Sequence, residues 1–177
     1  MSFLKSALSV MVVVGLTNTM VNAAPVNTTA VLDDPRTVYI ENGCDSTVWV
    51  RHEWNDIRDP DQIVGIDPHG GKYEHPQRFS DLSKNEGGRD FKLAWGYSDI
   101  DSGTKTDQFE YPVTSIGLTY DLSHENGNPM GDIRRHVTTD NGNCAELQCW
   151  PGQTAECDWP DKQSTNCPSA NLWFFLC

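Results

Sequence analysis

Six cysteines, five histidines and 25 acidic residues are the side chains of this 177-residue chain with the chemistry to hold a metal, attack a substrate or move a proton. The cysteines (Cys44, Cys144, Cys149, Cys157, Cys167 and Cys177) are even in number and include no C-x-x-C pair, which favours disulfides over zinc. The histidines (His52, His69, His75, His124 and His136) are scattered. His69 and His75 would meet across a turn with Asp67 as a small metal site, but solvated loop histidines account for them more simply. Asp99-Ile100-Asp101-Ser102-Gly103 begins like a calcium loop, then lacks the later ligands and the closing glutamate, so it reads as a turn. No G-x-S-x-G, H-E-x-x-H or phosphate-binding loop is present. Neither a metal nor a cofactor is expected. Arg134-Arg135 is a dibasic processing site or, more plainly, an exposed basic pair.

The elements that must position these groups are short strands. Thr37–Glu41, Thr47–Arg51 and Phe109–Val113 are β-branched and aromatic. Phe91, Leu93, Trp95 and Tyr97 alternate with small or polar residues, as do Leu118, Tyr120 and Leu122, the period of a half-buried strand. Asn171–Leu176 is an apolar run closed by Cys177. Turn-formers separate the runs at 68–71, 86–88, 101–103, 126–129 and 141–143. The pattern predicts an all-β sandwich or barrel.

Ahead of it, residues 1–23 read as a signal peptide, with Lys5, the apolar run Leu8–Leu16 and Val21-Asn22-Ala23 at a cleavage site. That run falls well short of the ~20 residues needed to span a bilayer. Residues 24–36 form a flexible N-terminal segment with the glycosylation sequon Asn27-Thr28-Thr29, and residues 37–177 form one domain. The expected product is a secreted monomer, in a compartment that oxidises its thiols. With 13 basic against 25 acidic residues and a net charge of −12, the chain has no basic excess for nucleic acid or for an anionic membrane.

Two motifs carry a family resemblance. Thr37-Val38-Tyr39-Ile40-Glu41-Asn42-Gly43-Cys44 followed by Thr47-Val48-Trp49 resembles the opening of thaumatin-like proteins, and Tyr120-Asp121-Leu122-Ser123 followed by Gly127-Asn128-Pro129-Met130 resembles a second segment of that family. Gly87-Gly88 and Phe109-Glu110-Tyr111 fall between them in the family's order. In size and cysteine number the chain is similar to the small fungal branch named after the Blastomyces yeast-phase-specific protein. The resemblance implies a compact antiparallel β-sandwich stabilised by three disulfides. Of the 15 connectivities open to six cysteines, that fold implies Cys44–Cys177 joining its ends, with Cys144–Cys167 and Cys149–Cys157 nested inside.

Larger thaumatin-like proteins have an acidic cleft for β-1,3-glucan, and paired carboxylates suit glycoside chemistry. Carried over by position, the family's Glu falls on Glu110 and an Asp on Asp121. Its next acid falls on Asn126, with Glu125 beside it, and its Arg falls on Trp95. The remaining Asp belongs to a domain for which this chain has no room. With the cleft reduced, Glu110 and Asp121 are either solvated carboxylates or the remnant of a carbohydrate groove, with Trp95 or Tyr97 stacking on a sugar. Trp54, Trp150 and Trp159 sit in turn-rich segments, and Trp150-Pro151-Gly152 lies inside the cysteine-rich loop. An exposed Trp on a rigid loop anchors protein partners; packing over a disulfide is the alternative. The expected function is a non-enzymatic extracellular effector that binds or inhibits a host protein such as a protease or other hydrolase. A β-glucan-binding wall or antifungal protein is the alternative, with weak glucanase activity behind it.

Overall fold

A computed structural model describes residues 36–53, 61–78, 88–153, 157–158 and 160–177. The leader, Asn27, Trp54 and Trp159 lie outside the described residues.

The first strand shows why these residues make a sandwich. In β1 (Thr37–Asn42), Val38, Ile40 and Asn42 are buried while Thr37, Tyr39 and Glu41 face outward, because successive side chains of a strand point to opposite faces. The same alternation runs through β2 (Val48–Glu53), β5 (Arg89–Ala94), β9 (Arg135–Thr139) and β12 (Leu172–Leu176), while β6 (Asp107–Tyr111) and β8 (Gly117–Ser123) bury Gln108, Asp121 and Ser123 on the other face as well. Buried Val50, Phe91, Leu93, Phe109, Tyr120, Val137, Leu172 and Phe174 therefore meet in one core between two sheets.

A 5-stranded sheet has the order β10-β9-β12-β1-β4, and a second sheet has β11-β8-β6-β5-β2-β3 with β7 (Val113–Thr114) beside β8. Here β3 is Gln62–Ile66, β4 Gly71–Pro76, β10 Leu147–Cys149 and β11 Ser164–Cys167. The ladders are antiparallel except that β1 and β12 run parallel, pairing Val38 with Leu172 through Asn42 with Leu176. A parallel pair needs a long crossover, and here nearly the whole domain is that crossover.

Two local expectations change. The strand from Phe91 stops at Ala94, and Tyr97–Ser102 is a short helix, α1, with Gly96 before it and Gly103 at φ 66° closing it. The segment 99–103 is thus the end of this helix rather than a free turn, because Ile100 buries its side chain against the sheet. The polar strands β4, β9, β10 and β11 had no apolar run to announce them, while β3, with Ile63, Val64 and Ile66, carried a strand signal that the sequence reading passed over. The hairpin β3–β4 closes through the Pro68–Gly71 turn.

The Asn42-Gly43-Cys44 motif ties the ends together. Asn42 is fully buried, and its Nδ2 donates to carbonyls of Ser46 and Ile66 while its Oδ1 accepts from the Cys44 amide. The Gly43 amide donates to Leu176 O at 2.9 Å, an approach that leaves only 3.0 Å between that oxygen and any Cβ at this position. The next residue, Cys44, is bridged to Cys177; the other bridges are Cys144–Cys167 and Cys149–Cys157.

Between the sheets lies a buried ion cluster. Arg135 on β9 is 1 % exposed and donates to Asp107 Oδ1 on β6 at 2.7 Å, with Asp158 Oδ2 at 3.4 Å. Asp107 also accepts the Met130 amide at 2.7 Å, and His124 Nδ1 lies 2.9 Å from Asp158 Oδ2. Burial pushes the Asp107 carboxyl up to about 6, against the pull of Arg135 and the Met130 amide. The exposed basic pair expected from Arg134-Arg135 is thus corrected: neighbours on a strand face opposite ways, so only Arg134 looks outward.

Two outcomes follow for stability. Urea unfolding of a Cys44→Ser/Cys177→Ser variant should show a loss of about 5 kcal/mol, against about 2.5 for the Cys149/Cys157 pair, because loop-closure entropy grows with the residues enclosed. Arg135→Met should cost about 3–5 kcal/mol in the same assay, since it strands two carboxylates in the core.

Candidate functional site

The carboxylates Glu110 and Asp121 are direct cross-strand partners on the outer face of the second sheet. The row they share is longer than the pair. Glu53 on β2 is opposite Asp90 on β5, Asp90 is opposite Glu110 on β6, and Glu110 is opposite Asp121 on β8. Four acids from four strands thus stand side by side. The neighbouring row on the same face is Arg51, Lys92, Gln108 and Ser123. Arg51 and Lys92 both pair with Glu53, Arg51 also with Asp61.

Neutral donors support the other end. Gln108 Nε2 donates to Glu110 Oε1 at 2.8 Å and Gln163 Nε2 to Asp121 Oδ2 at 3.0 Å. Asn126 donates from Nδ2 to Gln108 Oε1 at 2.6 Å, so it orients the glutamine rather than touching the acids in place of a family carboxylate. Burial pushes Glu110 up to about 7, with the Asp121 charge and a hydrogen bond between the two carboxyls adding to the rise. Burial also raises Asp121, against hydrogen bonds from Gln163 and Glu110, and lifts Asp90 to about 6. Two carboxyls that interact so closely titrate as a unit.

Trp95 is not beside them. It continues the inward side of β5 after Phe91 and Leu93, packs against the core, and donates from Nε1 to Pro129 O at 2.8 Å. It lies five residues along the chain from Asp90, about 16 Å in extended backbone. Its ring secures the loop that carries Met130. Tyr97 is 51 % exposed and meets Trp49 edge-on at 5.1 Å, beyond the basic row. His69 and His75 do not meet, and of the two expected loop histidines only His69 stands in solvent, near Asp45, whereas His75 lies on β4 and faces the core, 4.0 Å from the His52 ring. The His/Cys/Asp/Glu cluster with metal-holding geometry among the described residues is Cys149, Cys157 and Asp158, and its two sulfurs are already bonded to each other.

Trp150 occupies a separate surface, at the end of β10 in the first sheet. It is 53 % exposed, with the Arg134 guanidinium 5.1 Å from its ring centre, a cation–π contact. Arg134 is braced by Gln148 Oε1 at 3.1 Å and His136 Nδ1 at 3.2 Å. The turn beneath is closed by Gln153 N to Trp150 O at 2.9 Å and Gly152 N to Gly131 O at 2.7 Å. Arg135 holds the same turn from inside through Gln153 O, and the Cys149–Cys157 bridge closes the loop. On the same outer face Tyr39 stacks on Trp173 at 5.2 Å and Phe175 lies 6.2 Å from His136. Sequence reasoning named Trp150 and Arg134 separately without joining them, and it named Glu110 and Asp121 but missed Glu53, Asp90, Gln108 and Gln163. Strand register is the signal that finds them.

The family model described as Blastomyces yeast-phase-specific protein matches residues 26–177. A comparison with curated proteins finds no match. Among solved structures, the protein elicitor MoHrip2 from Magnaporthe oryzae is 24 % identical, with a TM-score of 0.63 over 80 % of this chain and 98 % of its own. The thaumatin-like xylanase inhibitor TLXI is 16 % identical, with a TM-score of 0.54 over 81 % of this chain and 99 % of its own. At these identities the likeness is one of fold, and the fold is thaumatin-like.

The raised carboxyls have a measurable consequence. A folded-state pKa above the unfolded value stabilises the fold fully below the unfolded value, near 4 for a carboxyl, and that gain is lost as pH rises through about 7 for Glu110. The melting temperature should therefore fall between pH 5 and pH 8, and Glu110→Gln, which needs no proton, should fall less. Equal losses in both proteins would show that the pair is not the source.

Proposed function

The chain belongs to the Blastomyces yeast-phase-specific protein family, and from that premise we propose that it is a secreted, non-enzymatic protein that binds a host hydrolase in the extracellular space and inhibits it. The observation that carries this reading is Trp150: a half-exposed indole, stacked by Arg134, on a turn closed by a disulfide. Exposed aromatic and arginine side chains dominate the energy of protein interfaces, and a loop already held in shape spends little ordering entropy on binding. Three disulfides fit an oxidising, extracellular setting. Two structures of similar fold are those of a protein elicitor and a xylanase inhibitor, functions compatible with this one.

Glycoside cleavage is the weaker reading. A retaining enzyme places its carboxyl groups about 5–5.5 Å apart and an inverting one about 6.5–9.5 Å. Asp121, in contrast, is only 4 % exposed and its Oδ2 already accepts from Gln163, so it offers a sugar no open carboxylate.

The test is direct titration of the disulfide-intact protein against secreted glycoside hydrolases and proteases of the host, with residual activity and affinity read together. Trp150→Ala should weaken inhibition by roughly 30-fold, about 2 kcal/mol, without moving the melting temperature. Full inhibition by Trp150→Ala, or none by the parent protein on any hydrolase, overturns the reading.

A further inference from the structure

Arg134 lies over the Trp150 ring, and the groups that hold the guanidinium there include one that titrates. The Arg134 Nη2 donates to two acceptors on neighbouring strands, Gln148 Oε1 on β10 at 3.1 Å and His136 Nδ1 on β9 at 3.2 Å. Gln148 and His136 are themselves directly opposite in the ladder. The other ring nitrogen, His136 Nε2, lies 3.3 Å from Glu146 Oε2. A line of contacts thus runs from Glu146 through His136 and Arg134 to the indole of Trp150.

Only one protonation state of the imidazole fits both of its neighbours. A guanidinium has donors and no acceptor, and it is never deprotonated in a protein. His136 Nδ1 must therefore offer a lone pair, which leaves the single ring proton on Nε2, aimed at the Glu146 carboxylate. A second proton has only Nδ1 to go to. There it turns an acceptor into a donor that faces a donor, and it sets two cations in contact. Glu146 attracts an imidazolium from the far side, but its side chain is 69 % exposed, and water screens that attraction. Arg134 then keeps Gln148 and loses His136, so one brace remains where two held it against the ring.

The other charged groups near His136 do not offer Arg134 a replacement. Across the uncharged Phe175 on β12 stands Glu41 on β1, which is already paired with Lys72 on β4. Arg135, next in the chain, points inward to Asp107 and Asp158, and His124 meets Asp158 there.

We propose that His136 is a positioning residue for the Trp150 anchor: its neutral ring holds Arg134 against the indole, and a second proton on that ring releases it. The braced state carries one proton fewer than the released state, so the brace strengthens as pH rises and weakens on acidification. Histidines as a class change charge between pH 5 and 8, which is the window to search. The consequence for partner binding rests on the reading of Trp150 as the anchor; the brace itself does not.

The experiment reads the brace first, on the disulfide-intact protein without a partner. Nitrogen NMR of His136, assigned by its absence from His136→Asn, should show the proton on Nε2 and a bare Nδ1 at pH 8. Trp150 emission, taken as the difference from Trp150→Phe, should change on acidification to pH 5 in step with protonation of Nδ1. His136→Asn, whose Oδ1 accepts but takes no proton in this range, should hold the pH 8 emission throughout, and His136→Ala should show the acid emission throughout. In the hydrolase titration the parent protein should lose roughly fivefold in affinity relative to His136→Asn between pH 8 and pH 5, the worth of one hydrogen bond. A proton on Nδ1 at pH 8, Trp150 emission indifferent to the state of His136, or a His136→Asn variant as pH-dependent as the parent overturns the proposal. If no hydrolase is inhibited, the anchor reading fails, and the spectra alone still decide the brace.

Discussion

The guanidinium of Arg135 is the point at which the two sheets, the Cys149–Cys157 loop and the approach to the carboxylate row meet. It reaches from β9 to Asp107 on β6, to Asp158 beside the disulfide and to the carbonyl of Gln153 under the Trp150 turn. One cation serves two buried carboxylates, and His124, at the surface side of Asp158, meets the second of them through Nδ1 at 2.9 Å. Charges removed from water are tolerated only when paired in good geometry. The elements that present these groups are therefore held in one relative position, which an apolar contact in the same place would not specify.

Both candidate surfaces are tied to that cluster. Asp107 opens the strand that carries Gln108 and Glu110, and its second oxygen holds the Met130 amide, next to the Pro129 carbonyl that Trp95 binds. Arg134, the residue before Arg135, points the other way and braces Trp150. One dipeptide thus serves the interior with one residue and the exterior with the next. The alternating geometry of a strand makes that division possible.

The closed core also explains why chemistry is confined to the outer faces. Inward positions are filled mainly by aliphatic and aromatic side chains, with Asn42, Arg89, His52, His75 and the ion cluster among the polar members. Outward, the two sheets differ. The second sheet bears the four-acid row with its amide supports, while the first bears the Tyr39–Trp173 stack, Phe175 and the approach to Trp150. A strongly acidic protein with one acidic and one aromatic face has two chemically different surfaces to offer.

What the sequence by itself determined is what depends on neighbours along the chain. Alternation at Val38/Ile40, Phe91/Leu93 and Leu118/Tyr120/Leu122 announced inward faces, since hydrophobic burial follows the strand period. The turn residues at 68–71 marked the bend of the β3–β4 hairpin, although only β3, with Ile63, Val64 and Ile66, carries a strand signal beside it. Glu110, Asp121 and Trp150 were legible through motif and local composition. Only the tertiary structure decided which carboxylates stand together. Glu53 and Asp90 join Glu110 and Asp121 through register between four strands distant in sequence, and a one-residue slip would turn each strand's acid to the other face. It likewise decided that Arg135 is inside and Arg134 outside, and that Trp95 serves the core. Those outcomes rest on non-local pairing and on the desolvation cost of buried charge, and neither is written in any short stretch of chain.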